Sequence, residues 1–187
     1  MTLAPASSAR EVDAPLSTST DGGVLVVTLA QPPANEIGRA MLAALETVAA
    51  TLHEPPSEVR AAVITSALPR GFSAGADLIE LHETIVERRA AGADDRARET
   101  ELGAFLDRVH AVMDAIDRAP LATVAAVHGV CFGGGLELAL ACDVIVADRT
   151  ARFAFPELRL GLIPGFGGVP RLRRDVGNAV VRDLLLT

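Results

Sequence analysis

The chain has 187 residues, of which half are hydrophobic and 22% are charged, and this suits one globular domain with a sizeable core. Its net charge is −7 and all 17 basic residues are arginines, which excludes Schiff-base chemistry on lysine. Acidity without a basic stripe, tryptophan or tyrosine argues against nucleic-acid binding.

The N-terminal segment, residues 1–23, mixes small, polar and charged residues and contains no continuous apolar stretch. This composition is not that of a secretory signal, and we interpret the segment as a flexible tail before a core domain at residues 24–187. No part of the sequence approaches the roughly 18 uninterrupted apolar residues that a membrane span needs. We therefore expect a cytoplasmic protein with no membrane contact.

The first predicted elements alternate between strand and helix. Val24–Leu29 reads V-L-V-V-T-L, a β-branched and apolar run that predicts a strand covered on both faces. Apolar residues at helical spacing predict a helix over residues 37–53, which Pro55 stops. Residues 61–65 predict the next strand. The order strand, helix, strand indicates an α/β fold.

A glycine-containing segment at residues 72–80 reads F-S-A-G-A-D-L-I-E. Gly75 allows a backbone conformation closed to other residues, and this would place the amide of Ala76 toward a cavity. Asp77 is in position to cap the helix that is predicted over Leu78–Ala90. The segment therefore combines a candidate amide donor with a helix start.

The next part of the chain is charged and then amphipathic. Residues 92–98 read G-A-D-D-R-A-R, which we interpret as a flexible link with a solvated surface. From Leu102 onward, apolar residues repeat at intervals of three and four. This spacing predicts an amphipathic helix of about four turns.

The central motif, from residue 128 to residue 143, reads H-G-V-C-F-G-G-G-L-E-L-A-L-A-C-D. A strand predicted over residues 123–127 enters it, and an apolar helical segment over residues 136–142 leaves its three glycines. Unpaired N–H groups at such a helix start favour an anion, or a carbonyl oxygen that becomes one during reaction. Glu137 adds a carboxylate beside them. The alternative is that the glycines only permit tight packing and Glu137 is an ordinary first-turn acid.

Glu157 is the second candidate acid. Strands are predicted over Val144–Ala147 and residues 152–155, and Glu157 follows the second strand directly after Pro156. A carboxylate between a proline and a leucine is expected to sit partly out of water, which would raise its pKa toward neutrality. The alternative is a surface acid paired with Arg159.

The last part of the chain combines a glycine-rich loop with helices. Residues 163–168 read I-P-G-F-G-G, which lacks the glycine order of a dinucleotide-binding fingerprint. A basic helix is predicted over residues 169–176. We interpret its arginines, including Arg171, as surface residues, and the alternatives are an interface or contact with phosphate groups. Gly177 is expected to end this helix, and a second helix begins at residue 179.

The two cysteines, Cys131 and Cys142, form no C-x-x-C pair, so neither a structural metal site nor a disulfide framework is expected. Cys131 adjoins the glycine turn and could be a thiol nucleophile, but a buried apolar filler is the stronger interpretation. Motifs typical of serine-elbow hydrolases, zinc peptidases and P-loop nucleotidases are absent from the sequence.

Three motifs, in this order, resemble the crotonase (enoyl-CoA hydratase/isomerase) superfamily: F-S-A-G-A-D-L-I-E, G-G-G-L-E and F-P-E-L-R-L-G-L-I-P-G-F-G-G. The resemblance extends from about residue 24 to residue 186. It implies a crotonase-like α/β spiral of repeated ββα units, whose C-terminal helical part would be cut short in this chain.

The resemblance also implies roles for particular residues. The backbone N–H groups of Ala76 and Gly134 would form an oxyanion hole for a thioester carbonyl. Glu137 and Glu157 would hold the water, one of them removing its proton and the other protonating the α-carbon. Asn35 fits the place of an asparagine common in the family, but we interpret it as a turn or cap residue because asparagine readily bonds its own backbone.

The implied substrate is an acyl-CoA thioester that runs along Ala76, Asp77 and Leu78 with its carbonyl at Gly134, and no separate cofactor is expected. The implied reaction is hydration of the 2,3 double bond of an enoyl-CoA, in a homotrimer or a dimer of trimers. Two alternatives stay open at this point. One is another crotonase-type reaction on a CoA or carrier-protein thioester, such as isomerisation, decarboxylation or C–C hydrolysis, and the other is a non-catalytic scaffold subunit.

Overall fold

A computed structural model of the chain describes residues 14–92 and 94–186, with the side chain of residue 98 left out. Within these ranges the strands are β1 (Leu16–Asp21), β2 (Val24–Leu29), β3 (Ala61–Ser66), β4 (Gly71–Ser73), β5 (Ala122–Val127), β6 (Val130–Phe132), β7 (Val144–Ala147) and β8 (Arg152–Ala154). The α-helices are α1 (Arg39–His53), α2 (Leu78–Ala90), α3 (Asp95–Asp117), α4 (Gly134–Leu140) and α5 (Gly168–Leu186), and a 3-10 helix spans Pro156–Leu160.

The elements follow one another as four pairs of strands, each pair followed by helix. One sheet has the strand order β1-β2-β3-β5-β7 and the other has the order β4-β6-β8. From β3 onward, the first strand of each pair joins the larger sheet and the second joins the smaller one. Strand β1 is antiparallel to β2, and the other named pairs are parallel. The predicted α/β class and ββα units are confirmed.

The core lies between the larger sheet and the helices. Alternate residues of β2 and β3 are buried, because successive side chains of a strand point to opposite faces. Helix α1 adds a buried stripe at helical spacing: Met41, Leu42, Leu45, Val48, Ala49 and Leu52. The other residues of β2 are only partly buried, which corrects the prediction that both faces of this strand are covered.

Two segments predicted to be flexible are regular structure. The tail predicted at residues 1–23 is wrong for Leu16–Asp21, which pairs along its whole length with β2, whereas residues 1–13 lie outside the described residues. The flexible link predicted at residues 92–98 is wrong from Asp95 onward, where α3 begins. Asp94 caps this helix by accepting a hydrogen bond from the Ala97 amide at 2.8 Å.

Most of the predicted helices are confirmed. Helix α2 has the predicted bounds, and α1 begins two residues later than predicted. Within α5, Gly177 has φ 77° and ψ 174°, so the helix is interrupted where the sequence predicts a stop. None of the helices in the described ranges is long and apolar enough to cross a lipid bilayer.

Candidate functional site

The site forms at the carboxyl end of the smaller sheet, where three neighbouring parallel strands end together. Ala76 follows β4, Gly134 follows β6, and Glu157 follows β8. Strands β4 and β6 were not predicted from the sequence, and the glycine turn follows β6 rather than the longer strand β5. The structure therefore brings together segments that lie far apart along the chain.

Two backbone N–H groups, those of Ala76 and Gly134, are close neighbours. A Cβ built at Gly134 would lie 3.4 Å from the Ala76 nitrogen, and one built at Gly75 would lie 3.0 Å from the Gly134 nitrogen. Positive φ angles at Gly75 (102°) and Gly133 (49°) turn the two chain segments toward each other. No hydrogen bond in the described part of the chain uses either N–H group, so both can donate to one ligand oxygen.

Glu137, in the first turn of α4, is only 1% exposed. Its Oε1 accepts hydrogen bonds from the amides of Phe166 at 2.9 Å and Gly168 at 2.7 Å. Burial raises the pKa of Glu137 to about 7, although these two amides oppose the rise, and the nearby charge of Glu157 adds to it. Near neutral pH this carboxyl group can therefore both accept and release a proton.

Glu157 is the second residue of the 3-10 helix and is half-buried. Burial raises its pKa above the ordinary value for glutamate. Its Oε2 is buried and has no hydrogen-bond partner among the described residues, and a Cβ built at Gly133 would lie 2.5 Å from its Oε1. The second carboxyl group thus lies against the glycine turn, and the alternative of a surface acid is wrong.

A cavity of about 260 Å³ opens beside the paired N–H groups. Its lining includes Ala76, Asp77 and Phe166, but it does not include Glu137, Glu157 or Leu78. Apolar side chains of α2 and α3 form much of the wall: Leu81, Ile85, Leu102, Phe105 and Leu106. Gly134 is not part of the lining but lies close to it, since a Cβ built at Gly134 would lie 2.6 Å from Cδ2 of the Phe166 ring. An apolar ligand group therefore has room next to the N–H pair.

Asp77 caps α2 as predicted, by accepting a hydrogen bond from the Glu80 amide at 2.9 Å. Leu78, the first residue of α2, is 39% exposed. The strip of residues 76–78 thus runs from the N–H pair along the cavity and out to solvent.

Asn35 holds the chain segment that precedes the strip of residues 76–78. It is fully buried with φ 52°, its Oδ1 accepts from the Gln31 amide, and its Nδ2 donates to Ser66 Oγ and to the Phe72 carbonyl. These bonds, of 2.8 to 2.9 Å, fix the chain just before Ala76. The interpretation of Asn35 as a turn residue fits this arrangement, and its hold on β4 was not foreseen.

We expect Asn35→Ala to lower the free energy of unfolding by about 2–3 kcal/mol, because buried hydrogen-bonding groups lose their partner. Urea denaturation followed by circular dichroism measures the effect. Asn178→Ala, at an exposed position in α5, is the matched control and should change stability by less than about 0.5 kcal/mol. Equal stabilities of the two variants would show that the Asn35 bonds do not hold this segment.

The two cysteines are the remaining candidates for a reactive side chain. Cys131 and Cys142 are buried, and burial raises the pKa of each thiol to about 12, so neither is a nucleophile near neutral pH.

Arg171 was predicted on the surface, which is wrong. It is 8% exposed, and its Nη2 lies 2.6 Å from Asp114 Oδ1 and its Nε 3.3 Å from Asp117 Oδ2. Among the described side chains, no group of three or more His, Cys, Asp or Glu could hold a metal ion.

Comparison with known proteins places this geometry in a family. A family model described as enoyl-CoA hydratase/isomerase matches residues 19–187. "Probable enoyl-CoA hydratase 2, mitochondrial" of Arabidopsis thaliana is 35% identical over 169 residues, which are 90% of this chain and 52% of that protein. "Methylglutaconyl-CoA hydratase, mitochondrial" of Rattus norvegicus is 40% identical over 130 residues, which are 70% of this chain and 37% of that protein.

A solved structure of Pseudomonas aeruginosa DspI is similar to the chain with a TM-score of 0.78 and 33% identity, and the match covers 97% of this chain and 64% of that chain. The chain therefore spans about half the length, or less, of the two named relatives.

Proposed function

Because the chain belongs to the enoyl-CoA hydratase/isomerase family, we propose that it adds water across the 2,3 double bond of an enoyl thioester. The resemblance to the crotonase superfamily inferred from three motifs is thereby confirmed. The observation that carries the proposal is the juxtaposition of two unpaired N–H groups with two acids of raised pKa.

In the proposed reaction, the thioester oxygen accepts hydrogen bonds from the amides of Ala76 and Gly134. When the water oxygen adds to C3, the electrons of the double bond move onto the carbonyl oxygen of the thioester and form an enolate. The two N–H donors stabilise this enolate. One glutamate takes the proton that the water loses, and the other delivers a proton to C2 of the enolate. The buried Oε2 of Glu157, with no described donor, supports a hydrogen bond with the reacting water.

Water adds without net oxidation, so this chemistry requires no redox group, and coenzyme A enters only as part of the substrate. The strip of residues 76–78, which runs past the cavity mouth to solvent, supports a role in holding the CoA end of the thioester. Residues 76 and 134 meet at the carbonyl in this arrangement. The homotrimeric or hexameric assembly and the cytoplasmic location stay predictions.

The presence of both glutamates favours hydration over isomerisation, for which the family resemblance implies a single acid. The test is to incubate the purified chain with a panel of enoyl, acyl and carboxyacyl thioesters and to read the products by mass. A gain of one water supports hydration, and an isomer of unchanged mass or loss of carbon dioxide supports another crotonase-type reaction. Unchanged substrates together with intact thioester binding would leave the scaffold role.

The charge of the cavity favours a neutral acyl group. Three arginines line it, and each has a carboxylate partner: Glu101 for Arg88 at 2.8 Å, Glu46 for Arg108 at 2.7 Å and Glu80 for Arg39 at 3.5 Å. No described arginine of the lining is therefore left to receive a terminal carboxylate of the substrate. The apolar wall and a volume just below the range of about 300–1,000 Å³ for drug-sized ligands suit a short neutral chain.

We expect Glu101→Gln to raise kcat/KM for a glutaconyl thioester, which has a terminal carboxylate, by about 2–5-fold, because the change releases Arg88 and Arg39 from a shared partner. The value for crotonyl thioester should stay within about 2-fold. Glu99→Gln removes the same charge from an exposed position of α3 outside the cavity lining and is the matched control. Equal responses of the two variants would contradict the charge-neutral cavity.

A further inference from the structure

The two amides that bind Glu137 belong to peptide groups with a second feature in common. The Phe166 N–H is on the peptide whose carbonyl is that of Gly165, and His110 Nε2 lies 2.7 Å from this carbonyl oxygen. The Gly168 N–H is on the peptide whose carbonyl is that of Gly167, which accepts a hydrogen bond from Arg171 Nη1 at 3.1 Å. Each peptide therefore accepts from a basic side chain and donates to the same carboxylate oxygen.

Hydrogen bonds in such a chain polarise one another, because a donor at the carbonyl oxygen draws electrons from the N–H group and strengthens it as a donor. The Gly165 carbonyl can only accept, so His110 Nε2 must carry the proton in this contact. We propose that His110 and Arg171 are positioning residues that hold the 165–168 loop and polarise its two amides toward the Glu137 carboxylate. Neither side chain is required to touch the substrate.

Helix α3 supports both arms of this arrangement. It carries His110, and it carries Asp114 and Asp117, whose carboxylates hold the buried guanidinium of Arg171. Among the described residues, the charges that act on the pKa of Glu137 are those of Glu157, which raises it, and of His110, which lowers it. The charge of Arg171 is offset by its two aspartate partners, so its contribution to Glu137 passes mainly through the peptide group.

The test measures Glu137 itself. Protein labelled with ¹³C at the glutamate carboxyl carbons is titrated by NMR in the parent chain and in the His110→Ala and His110→Gln variants, with Glu137→Gln for assignment. Because His110 is exposed, both variants are expected to fold. Glutamine can still donate a hydrogen bond to Gly165 but carries no charge. His53→Ala, which removes an exposed histidine at the end of α1, controls for net charge.

The expected result is a rise of roughly half a pH unit in the Glu137 midpoint for His110→Ala and a smaller rise for His110→Gln. His53→Ala should leave the midpoint unchanged. Identical midpoints in the two His110 variants would overturn the proposal, because the hydrogen bond would then contribute nothing. A midpoint unchanged from the parent in both variants would overturn it as well.

Arg171→Met tests the second basic side chain, and its folding is verified by circular dichroism. This variant should also raise the pH midpoint of the Glu137 titration. If this buried position does not tolerate the change, the His110 variants decide the proposal by themselves. The consequence for turnover rests on the proposed hydration: the limb of the kcat profile due to Glu137 should move to higher pH in His110→Ala, with KM little changed. The NMR midpoints do not depend on activity, so failure of one proposal is distinguishable from failure of the other.

Discussion

Glutamine at position 137 or position 157 is expected to lower kcat for enoyl thioester hydration by about 10²–10⁴-fold. Each change keeps the shape of the side chain but removes a group that can take or deliver a proton. Binding should change little, because the thioester oxygen is proposed to bind the amides of Ala76 and Gly134. Hydration of crotonyl thioester, followed by mass, measures kcat, and calorimetry with a saturated acyl thioester measures Kd. Full activity in either variant would show that the acids are assigned wrongly.

Glu137→Gln should lower kcat, but at high pH it should raise the free energy of unfolding. Burial raises the pKa of Glu137 from 4.5 to about 7, so between these values the folded chain binds its proton more tightly than the unfolded chain. The stability that this group contributes is present below pH 4.5 and is lost as the pH rises through about 7. Glutamine stays neutral, so at pH 8 the variant should be more stable by up to about 3 kcal/mol.

Urea denaturation at pH 5 and pH 8 tests this sign, since the advantage of the Glu137→Gln variant should be largest at the higher pH. Glu157→Gln provides the comparison. It removes a negative charge that raises the pKa of Glu137, so the Glu137 midpoint should fall in that variant. A stability difference that is the same at both pH values would mean that the Glu137 carboxyl is not perturbed by burial.

Gly134→Pro is expected to lower kcat by about 10²–10³-fold, the usual effect of losing one donor to a developing oxyanion. Gly134 is the first residue of α4. Proline is well tolerated at the first position of a helix, so we expect this variant to fold. The side chain introduces a second effect, because a Cβ at this position would lie 2.6 Å from the Phe166 ring. Steady-state kinetics on crotonyl thioester measures the combined loss.

Gly134→Ala separates these effects. It introduces the same conflict with Phe166 but keeps the N–H group, so it should lose less activity than the proline variant. The further loss in Gly134→Pro then belongs to the amide. Equal kcat values in the alanine and proline variants, with both folded, would rule out this N–H group as a donor to the reacting oxygen.

The long elements could be predicted from the sequence because their periodicity is strong. Strand β2 and helix α2 have the predicted bounds. The misses have physical causes. Strand β1 reads L-S-T-S-T-D, a mostly exposed edge strand without buried alternation, and its pairing with β2 supplies its order. The start of α3 could not be predicted, because its charged residues are typical of links and are also good helix formers.

The candidate residues Ala76, Gly134, Glu137 and Glu157 were found from motifs, and the structure gathers them around one glycine turn. Their catalytic roles stay proposals. The amides of the 165–168 loop and the part of His110 could not be predicted, because both depend on contacts between distant segments. His110 in particular is an exposed histidine on an amphipathic helix, and nothing in its local sequence marks it.

The smaller sheet has a consequence for how the proposed site forms during folding. Its strands come from distant parts of the chain, and parallel pairing between such segments must overcome loop-closure entropy before it is rewarded. The donors and acids cannot meet until β4, β6 and β8 are all in register. Recovery of the proposed hydration activity after dilution from denaturant should therefore lag behind the return of helical signal, and this activity would be among the last properties that a newly made chain gains.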